Sequence, residues 1–254
     1  MASERPTFAL LRLGSCMVEQ DGLVTGLPEG LWWNVPINAY LVRSADALFL
    51  FDTGMPQRCI DRPWALFDPE GHGHDAILPV MRPRDAVVSR LDEAGFAPSD
   101  LDGAITSHWH FDHAGGMADL AGVPILAQKA EIDAHRDAPE ALYWVKGDHN
   151  LRALEGDQVI APGVTILSTP GHTPGHQSLL VETAKGAYIF TSDAVYTKVN
   201  WETDTPGAMV DPDLGRRSVT RLREVARDTG AHVVFSHDPR QIGEMEPFPR
   251  WYGA

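Results

Sequence analysis

The sequence predicts an α/β fold in which two halves, each made of strands followed by a helix, pack sheet against sheet with the helices outside. Short apolar runs recur between turn residues, as expected of strands. The order of several strands, a helix and a further strand occurs twice along the 254 residues. This length suits one large domain or two small ones, and we interpret residues 1–254 as a single domain.

The first half contains most of the predicted strands. Apolar runs of aliphatic and aromatic residues predict strands at 7–13, 37–43, 47–51, 103–107 and 123–127. Residues 55–82 are rich in proline and glycine and lack periodicity, which predicts a long loop. A helical pattern begins at Pro83 and ends at Gly95. A second helix is predicted from Lys129, and residues 138–150 are ambiguous.

The second half repeats the order of strands, helix and strand. Apolar runs predict strands at 164–169, 177–182 and 187–192. Asp211 is placed to cap a long helix that has Pro212 at its first position and ends at Gly230. The last predicted strand covers 232–236. Both halves therefore end in a strand that follows a helix.

The charge balance excludes several classes of function. The chain carries 21 Lys and Arg against 35 Asp and Glu, a net charge of −14. Such a surface repels phosphate backbones, and no basic cluster offsets it, so nucleic acid is not an expected partner. A neutral or zwitterionic small molecule suits this surface better.

The cellular location can also be predicted. No run of about 18 apolar residues is present, so we expect no membrane span. Arg12 soon interrupts the first apolar run, which makes a poor signal peptide. The two cysteines, Cys16 and Cys59, are expected to be free thiols in a reducing compartment. We therefore expect a cytoplasmic protein.

A histidine-rich motif follows the predicted strand at 103–107. If that strand continues, its period of two points His108 and His110 to the same side. Asp112 and His113 then lie on the turn that follows, in the motif SHWHFDH. Imidazole and carboxylate are good zinc ligands, and burying four ionisable groups without a metal would be costly. The motif therefore predicts a metal site.

Further candidate ligands come directly after other predicted strands. His172 and His176 both lie in the turn TPGHTPGH, and either could ligate a metal. Asp193 and His237 follow the next apolar runs, and sites in layered folds form at strand ends. Five histidines and two aspartates are too many for one tetrahedral zinc but suit two metals that share a carboxylate. The histidines interpreted as non-ligands are His72, His74, His135, His149 and His232.

HWHFDH, together with TPGHTPGH, SDAVY and FSHD, resembles the motifs of the metallo-β-lactamase superfamily. The resemblance covers almost the whole chain, and HFDHAGG with TPGHTPGHQSL is most similar to the N-acyl-homoserine lactonases. It implies a four-layer αββα sandwich. It also implies a quorum-quenching hydrolase that opens the lactone ring of N-acyl-homoserine lactones.

The same resemblance implies two zinc ions as cofactors and assigns their ligands. Other divalent cations such as cobalt, manganese or iron are left open. A hydroxide between the two ions would attack the lactone carbonyl. Tyr196 would donate to the developing oxyanion, the alternative being a packing aromatic, and the catalytic candidates are Tyr196 and Asp112. One zinc would be held by His108, His110 and His172, the other by Asp112, His113 and His237, with Asp193 bridging them.

The acyl chain of such a substrate needs an apolar wall, because the lactone ring must reach the metals. Aromatic side chains on a loop are costly unless they cover something apolar. The alternative is that Trp64 and Phe67 anchor the long loop to the core. Trp109 and the pair Trp32 and Trp33 are bulkier than the resemblance leads one to expect, so the preferred acyl length stays open. The candidate wall residues are Met17, Trp32, Trp33, Phe67 and Phe111.

Three other functions compete with this hypothesis. Another hydrolase, such as a thiolester hydrolase of the glyoxalase II type or a phosphodiesterase, would use the same ligands. A diiron redox protein of similar motif would carry glutamate in place of His110. A non-catalytic binding module would be expected to have lost ligands, and none is missing. The expected partner is thus a small molecule, without nucleic acid or membrane, and the oligomeric state, including a homodimer, is open.

Overall fold

Two β-sheets face each other in the computed structural model, which describes residues 5–45, 47–63, 77–136 and 144–254. The strands of the first sheet are β1 (Thr7–Glu19), β2 (Trp32–Ser44), β3 (Ala47–Phe51), β4 (Ile77–Val80), β5 (Gly103–Ile105), β6 (Pro124–Gln128) and β7 (Asn150–Leu154). Those of the second are β8 (Gln158–Ala161), β9 (Val164–Ser168), β10 (Gln177–Thr183), β11 (Gly186–Phe190) and β12 (His232–Val234). The spatial orders are β4-β1-β2-β3-β5-β6-β7 and β12-β11-β10-β9-β8.

One long helix and several short ones accompany the sheets. They are α1 (Gln20–Leu23), α2 (Arg58–Asp61), α3 (Val87–Glu93), α4 (Phe111–Ala114), α5 (Lys129–Ala134), α6 (Lys198–Thr203), α7 (Pro212–Thr229) and α8 (Pro239–Glu244). Asp211 caps α7 by accepting from the amide of Leu214, and Gly230 ends the helix in a left-handed conformation. None of the described helices combines the length and the apolar character needed to cross a membrane.

Alternate residues of β1 lie in two different apolar cores. Phe8 and Leu10 are buried between the two sheets. Ala9 and Leu11 are buried on the other face of the first sheet, in a core that includes Leu91 of α3. A strand that is covered on both faces is apolar throughout instead of alternating with polar residues. This accounts for the continuous apolar run near the start of β1.

Strand β10 shows the same arrangement in the second sheet. Leu179 and Val181 belong to the core between the sheets, and Leu180 packs with Leu222 of α7 in a separate core. The layers therefore follow the order helix, sheet, sheet, helix. The αββα sandwich expected from the sequence is confirmed.

The predicted strands and helices are all present, with changed limits. β1 and β2 are longer than predicted. β1 continues through Gly14, whose φ of +110° and register shift against β2 mark a β-bulge. A continuous apolar pattern stops at this bulge, which explains why the strand was predicted to end there.

Part of the predicted loop at 55–82 is regular structure, which corrects that prediction. It contains α2 and β4, and β4 pairs with β1. Residues 64–76 of this loop and residues 137–143 lie outside the described part of the chain. The elements α6, α8, β7 and β8 were not predicted. Most residues of β7 and β8 are exposed at the sheet edges, and the apolar runs in these strands are short.

Candidate metal centre

The candidate ligands lie where strands of both sheets end. Neighbouring strands β3 and β5 run parallel, as do β11 and β12, so their carboxyl ends meet at one edge of the sandwich. Each ligand loop begins within a few residues of such an end. The strand ends and the first ligands after them are Ile105 with His108, Ser168 with His172, Phe190 with Asp193, and Val234 with His237.

The histidine motif does not continue β5 as the sequence analysis assumed. The strand ends at Ile105, and Phe111–Ala114 forms a single helical turn that carries Asp112 and His113. The rings of His108 and His110 nevertheless meet, with centroids 4.6 Å apart. The predicted juxtaposition is therefore present, but a tight loop produces it and not the two-residue period of a strand.

Three imidazole nitrogens converge in the first ligand group, which consists of His108, His110, His172 and Asp193. Nε2 of His108 lies 3.0 Å from Nδ1 of His110 and 3.1 Å from Nε2 of His172. The remaining pair, Nδ1 of His110 and Nε2 of His172, is 2.9 Å apart. His108 comes from the first half of the chain and His172 from the second, so both halves build this group.

The second ligand group consists of Asp112, His113 and His237. Oδ2 of Asp112 lies 3.4 Å from Nε2 of His113 and 3.5 Å from Nε2 of His237. All three side chains are largely withdrawn from solvent. This group again joins a loop of the first half to a loop of the second.

Asp193 lies between the two groups and presents a different oxygen to each. Its Oδ2 is 3.6 Å from Nε2 of His108 and 3.4 Å from Nε2 of His172. Its Oδ1 is 3.2 Å from Nε2 of both His113 and His237. A carboxylate in this position can serve two cations at once.

The residues present fit a pair of metal ions. Ligand atoms at about 2.0–2.1 Å from a tetrahedral zinc lie roughly 3.3 Å from one another, and the separations above fall on either side of that value. Nε2 of His113 and Oδ1 of Asp193 are buried and make no hydrogen bond to any described residue. Buried polar atoms without partners are costly, and a bound cation would supply the missing partner to both.

Hydrogen bonds on the far side of the rings set the tautomers. Nδ1 of His172 donates to the carbonyl oxygen of Ala208 at 2.8 Å, and Nδ1 of His237 donates to that of Pro36 at 3.1 Å. A carbonyl oxygen can only accept, so the proton lies on Nδ1 and the lone pair of Nε2 faces the other ligands. Partners of this kind orient metal-binding histidines in general.

Asp52 is a functional candidate that the sequence analysis missed. Nδ1 of His113 lies 2.8 Å from its Oδ2, and the amide of Ser107 donates to its Oδ1 at 2.7 Å. Asp52 is buried at the end of β3 with a left-handed φ of +62°. An aspartate that directly follows an apolar strand beside β5 was the signal that could have identified it.

The charges of the site favour a bound cation. Burial acts to raise the pKa of Asp193, but the neighbouring His113 and His237 outweigh it and hold that pKa well below its usual range. Burial acts to lower the pKa of His113, but Asp193, Asp112 and Asp52 raise it well above its ordinary value. The neighbouring carboxylates therefore stabilise the protonated, positively charged form of His113. A metal ion bound there would replace the proton.

His176 is not part of either ligand group among the described residues. It is fully buried, and its Nδ1 lies 2.9 Å from Oγ1 of Thr169. Of the two histidines in the turn TPGHTPGH, His172 is the one whose nitrogen lies beside the other candidate ligands.

An apolar cavity of about 550 Å³ opens onto the centre. It reaches His110, Asp112, His172, Asp193 and His237, and Tyr196 lies in its wall. Its aromatic lining includes Phe111, one of the candidate wall residues, and also Trp109 and Trp144, which were not among those candidates.

The other predicted wall residues are placed elsewhere. Trp32 and Trp33 line a separate groove with Trp201 and Phe235. Met17 does not line the cavity, whereas its neighbours Cys16 and Val18 do, because alternate residues of a strand point to opposite faces. Phe67 and Trp64 lie outside the described residues.

The chain is similar to known proteins over nearly its full length. The sequence profile of the metallo-beta-lactamase superfamily matches residues 32–237. An N-acyl homoserine lactonase of Bacillus sp is 38% identical over 240 residues, which are 94% of this chain and 95% of that protein. N-acyl homoserine lactonase AiiA of Bacillus thuringiensis subsp. kurstaki is 37% identical over the same shares of the two chains.

Solved structures give the same result. An N-acyl homoserine lactone hydrolase with the product N-hexanoyl-L-homoserine bound at its catalytic metal center superposes with a TM-score of 0.91. It is 34% identical, and the match covers 99% of this chain and 100% of that one. The likeness therefore extends over the whole sandwich, including every loop that carries a candidate ligand.

Proposed function

Because the chain belongs to the metallo-β-lactamase superfamily, we propose that it is a metal-dependent hydrolase that opens the lactone ring of N-acyl-homoserine lactones. The observation that carries the proposal is the position of Asp193, whose two oxygens face two histidine groups beside an apolar cavity. The relatives named N-acyl homoserine lactonases, which match 94% of the chain, support the choice of substrate.

We propose zinc as the metal, since groups of imidazoles and carboxylates suit it. Two such ions, when bound, supply a nucleophile at neutral pH and polarise the carbonyl oxygen of the substrate. The residues that would hold the first ion are His108, His110 and His172, those for the second are Asp112, His113 and His237, and Asp193 would contact both.

Two further side chains of the site act on protons. Tyr196 is buried beside Asp193 and Asp112, and both burial and these carboxylates hold its pKa well above its usual value. Its phenol stays protonated and can donate to the oxygen that becomes negative as the ring opens. Burial acts to raise the pKa of Asp112, but His113 and His237 hold it below its usual range, so this side chain of the cavity wall is an ionised carboxylate. It is the candidate to accept the proton that the attacking water loses and to pass that proton to the departing ring oxygen.

The cavity provides a surface for the acyl chain. Trp109, Phe111 and Trp144 form a mostly buried aromatic lining next to the ligand groups. An acyl chain has no polar group beyond its amide, so it gains from leaving water along this wall. The aromatic wall therefore favours an acylated lactone over a small polar ester.

Hydrolysis assays with metal-loaded protein test this proposal. Zinc-loaded protein is given short- and long-chain acyl-homoserine lactones and, in parallel, a thiolester, and the released acid or thiol is measured. We expect turnover of the lactones, loss of turnover after chelation and its return when zinc is added back.

Two results would contradict the proposal. One is turnover of the thiolester without turnover of any lactone, which would favour the competing thiolester hydrolase. The other is lactone hydrolysis that chelation does not change. Asp157→Asn is a suitable control variant, because Asp157 is an exposed aspartate that pairs with Arg221 and belongs to neither ligand group.

A further inference from the structure

We propose that the buried carboxylate of Glu131 is a positioning residue for the metal centre. It ties the loop of His108 and His110 to the loop of His172, and so sets the affinity of the first ligand group for its cation. This inference rests on the proposed function only in assuming that a cation binds there. It concerns a residue of α5 that is not itself a ligand.

Each oxygen of Glu131 accepts from a different ligand loop. The amide of Trp109, which lies between His108 and His110, donates to Oε1 at 2.8 Å. The amide of Gly175, in the turn that carries His172, donates to Oε2 at 3.0 Å. Glu131 is 1% exposed, so neither bond competes with bulk water. One carboxylate thus spans the two halves of the chain behind the histidines.

The turn that carries His172 rests directly on α5. A Cβ atom added at Gly175 would lie 2.2 Å from the amide nitrogen of Glu131 and 2.6 Å from its Cα. Only glycine therefore allows this approach, and the length of the glutamate side chain then fixes how far the second loop stands from the first.

The loop of His108 and His110 is held firmly at Trp109. The indole Nε1 of Trp109 donates to Oγ1 of Thr106 at 3.1 Å. The backbone carbonyl oxygen of Trp109 accepts from Nε1 of Trp144 at 3.2 Å. His108 and His110, the residues on either side of Trp109, are both metal ligands in the proposed function. A shift of this peptide would therefore move two of the three nitrogens that converge.

The charge of Glu131 supports the same role. Among the described residues, its recorded ion-pair partner is His135, at 3.6 Å, and no lysine or arginine pairs with it. A buried carboxylate without a strong cationic partner is costly. Because the carboxylate of Glu131 lies next to the loop of His108 and His110, its negative charge favours a cation bound between these imidazoles.

Replacing Glu131 by glutamine separates positioning from packing. Glutamine has the same shape, but its amide nitrogen would face a backbone N–H as donor against donor, so one of the two loops is released. Losing the outer partners of metal ligands typically costs about 10–100-fold in metal affinity. Gly175→Ala pushes the same loop away without a change of charge and serves as a second variant.

Asp85→Asn is the matched control. Asp85 is also a 1% exposed carboxylate, but its partners are Arg82 and Arg90. In the described part of the chain, no hydrogen bond or ion pair joins it to a ligand loop. Its loss should lower the melting temperature without a change in metal affinity. It therefore shows what a purely structural defect does.

The experiment titrates metal-free protein with zinc against a competing chelating dye and extracts two dissociation constants. We expect Glu131→Gln and Gly175→Ala to weaken one site by about 10–100-fold and to leave the other nearly unchanged. In a His110→Ala background, which removes the first site, Glu131→Gln should have no further effect on the remaining one.

Three results with the variants overturn the inference. They are unchanged affinities in Glu131→Gln, equal weakening of both sites, or a fall in melting temperature with no selective loss. A wild-type chain that binds no metal overturns both this inference and the proposed function. A wild-type chain that binds two ions with the expected variant effects, yet opens no lactone, overturns the proposed function alone.

Discussion

The phenol oxygen of Tyr196 lies 3.2 Å from Nδ1 of His172, and both atoms face the carbonyl oxygen of Ala208. The bond from Nδ1 to that carbonyl, at 2.8 Å, is the shorter one, so His172 keeps its orientation without the tyrosine. The hydroxyl is therefore available to a substrate in the cavity. Its role can be separated from that of the ligand beside it.

Tyr196→Phe should leave the metal content unchanged and lower kcat. Loss of one oxyanion donor typically costs about 10²–10³ in rate, and the loss here should not exceed that range, because bound cations also act on the carbonyl. Elemental analysis and steady-state kinetics on one preparation check both parts. Full activity on every lactone would mean that Tyr196 is a packing residue.

Asp193→Asn should reduce metal binding at both ligand groups. Asparagine keeps the size of the side chain but has one uncharged oxygen, whereas each oxygen of the aspartate faces a different group. We expect the metal content after reconstitution to fall well below that of the wild type. A variant that retains one full-strength site would show that Asp193 serves only the other group.

Asp52→Asn should weaken the second ligand group selectively. It removes the carboxylate that orients His113 through Nδ1, and such changes typically cost about 10–100-fold in metal affinity. Asparagine tolerates the left-handed backbone at this position, so the fold should persist. Zinc titration against a chelating dye measures the effect, and equal affinities in variant and wild type would contradict it.

Phe111→Ala should raise KM more for long acyl chains than for short ones. Each buried methylene is worth about 0.8 kcal/mol, or roughly a factor of four in affinity, so the difference should widen with chain length. Trp32→Ala is the control, because Trp32 lines a separate groove and should not change the length dependence. A uniform rise in KM at every length would argue against Phe111 as the acyl wall.

The two thiols should be unreactive in the folded protein. Burial raises the pKa of Cys59 to about 12, and Cys16 is also shifted well above its ordinary value, chiefly by burial. At pH 8 both therefore stay protonated, and the thiolate is the reactive form. A chromogenic disulfide reagent should detect both thiols in urea and none under native conditions. Rapid native labelling at pH 8 would contradict this.

Much of the fold followed from the sequence because both sheets are covered on both faces. The apolar runs of β1 and β10 are a direct result of that burial. The edge strands β7 and β8 were not predicted because they are largely exposed and contain only short apolar runs. Loop-borne ligands could be found by residue type and position after strands, without knowledge of the loop geometry.

The substrate wall could not be predicted equally well. Met17 and Cys16 are adjacent in β1, and which of them faces the cavity depends on the bulge near Gly14. Trp109 lies between two predicted metal ligands, and this motif was interpreted only as a metal site. Asp52 was missed because its partner His113 is 61 residues away in the chain, and only its position directly after an apolar strand indicated a role.

The ligand groups draw on both halves of the chain, with His108 and His113 on one side and His172 and His237 on the other. Any ion held between them is a cross-link between the two sheets. Apart from the ligands, the contact between the two sheets near the metal centre includes a hydrogen bond from the amide of Gln177 to the carbonyl of Ser107 at 2.8 Å. At a metal concentration about 1,000 times Kd, binding adds about 4 kcal/mol to the free energy of unfolding. Chelation should therefore destabilise this contact between the sheets first. Amide hydrogen exchange would rise there before the outer helices unfold.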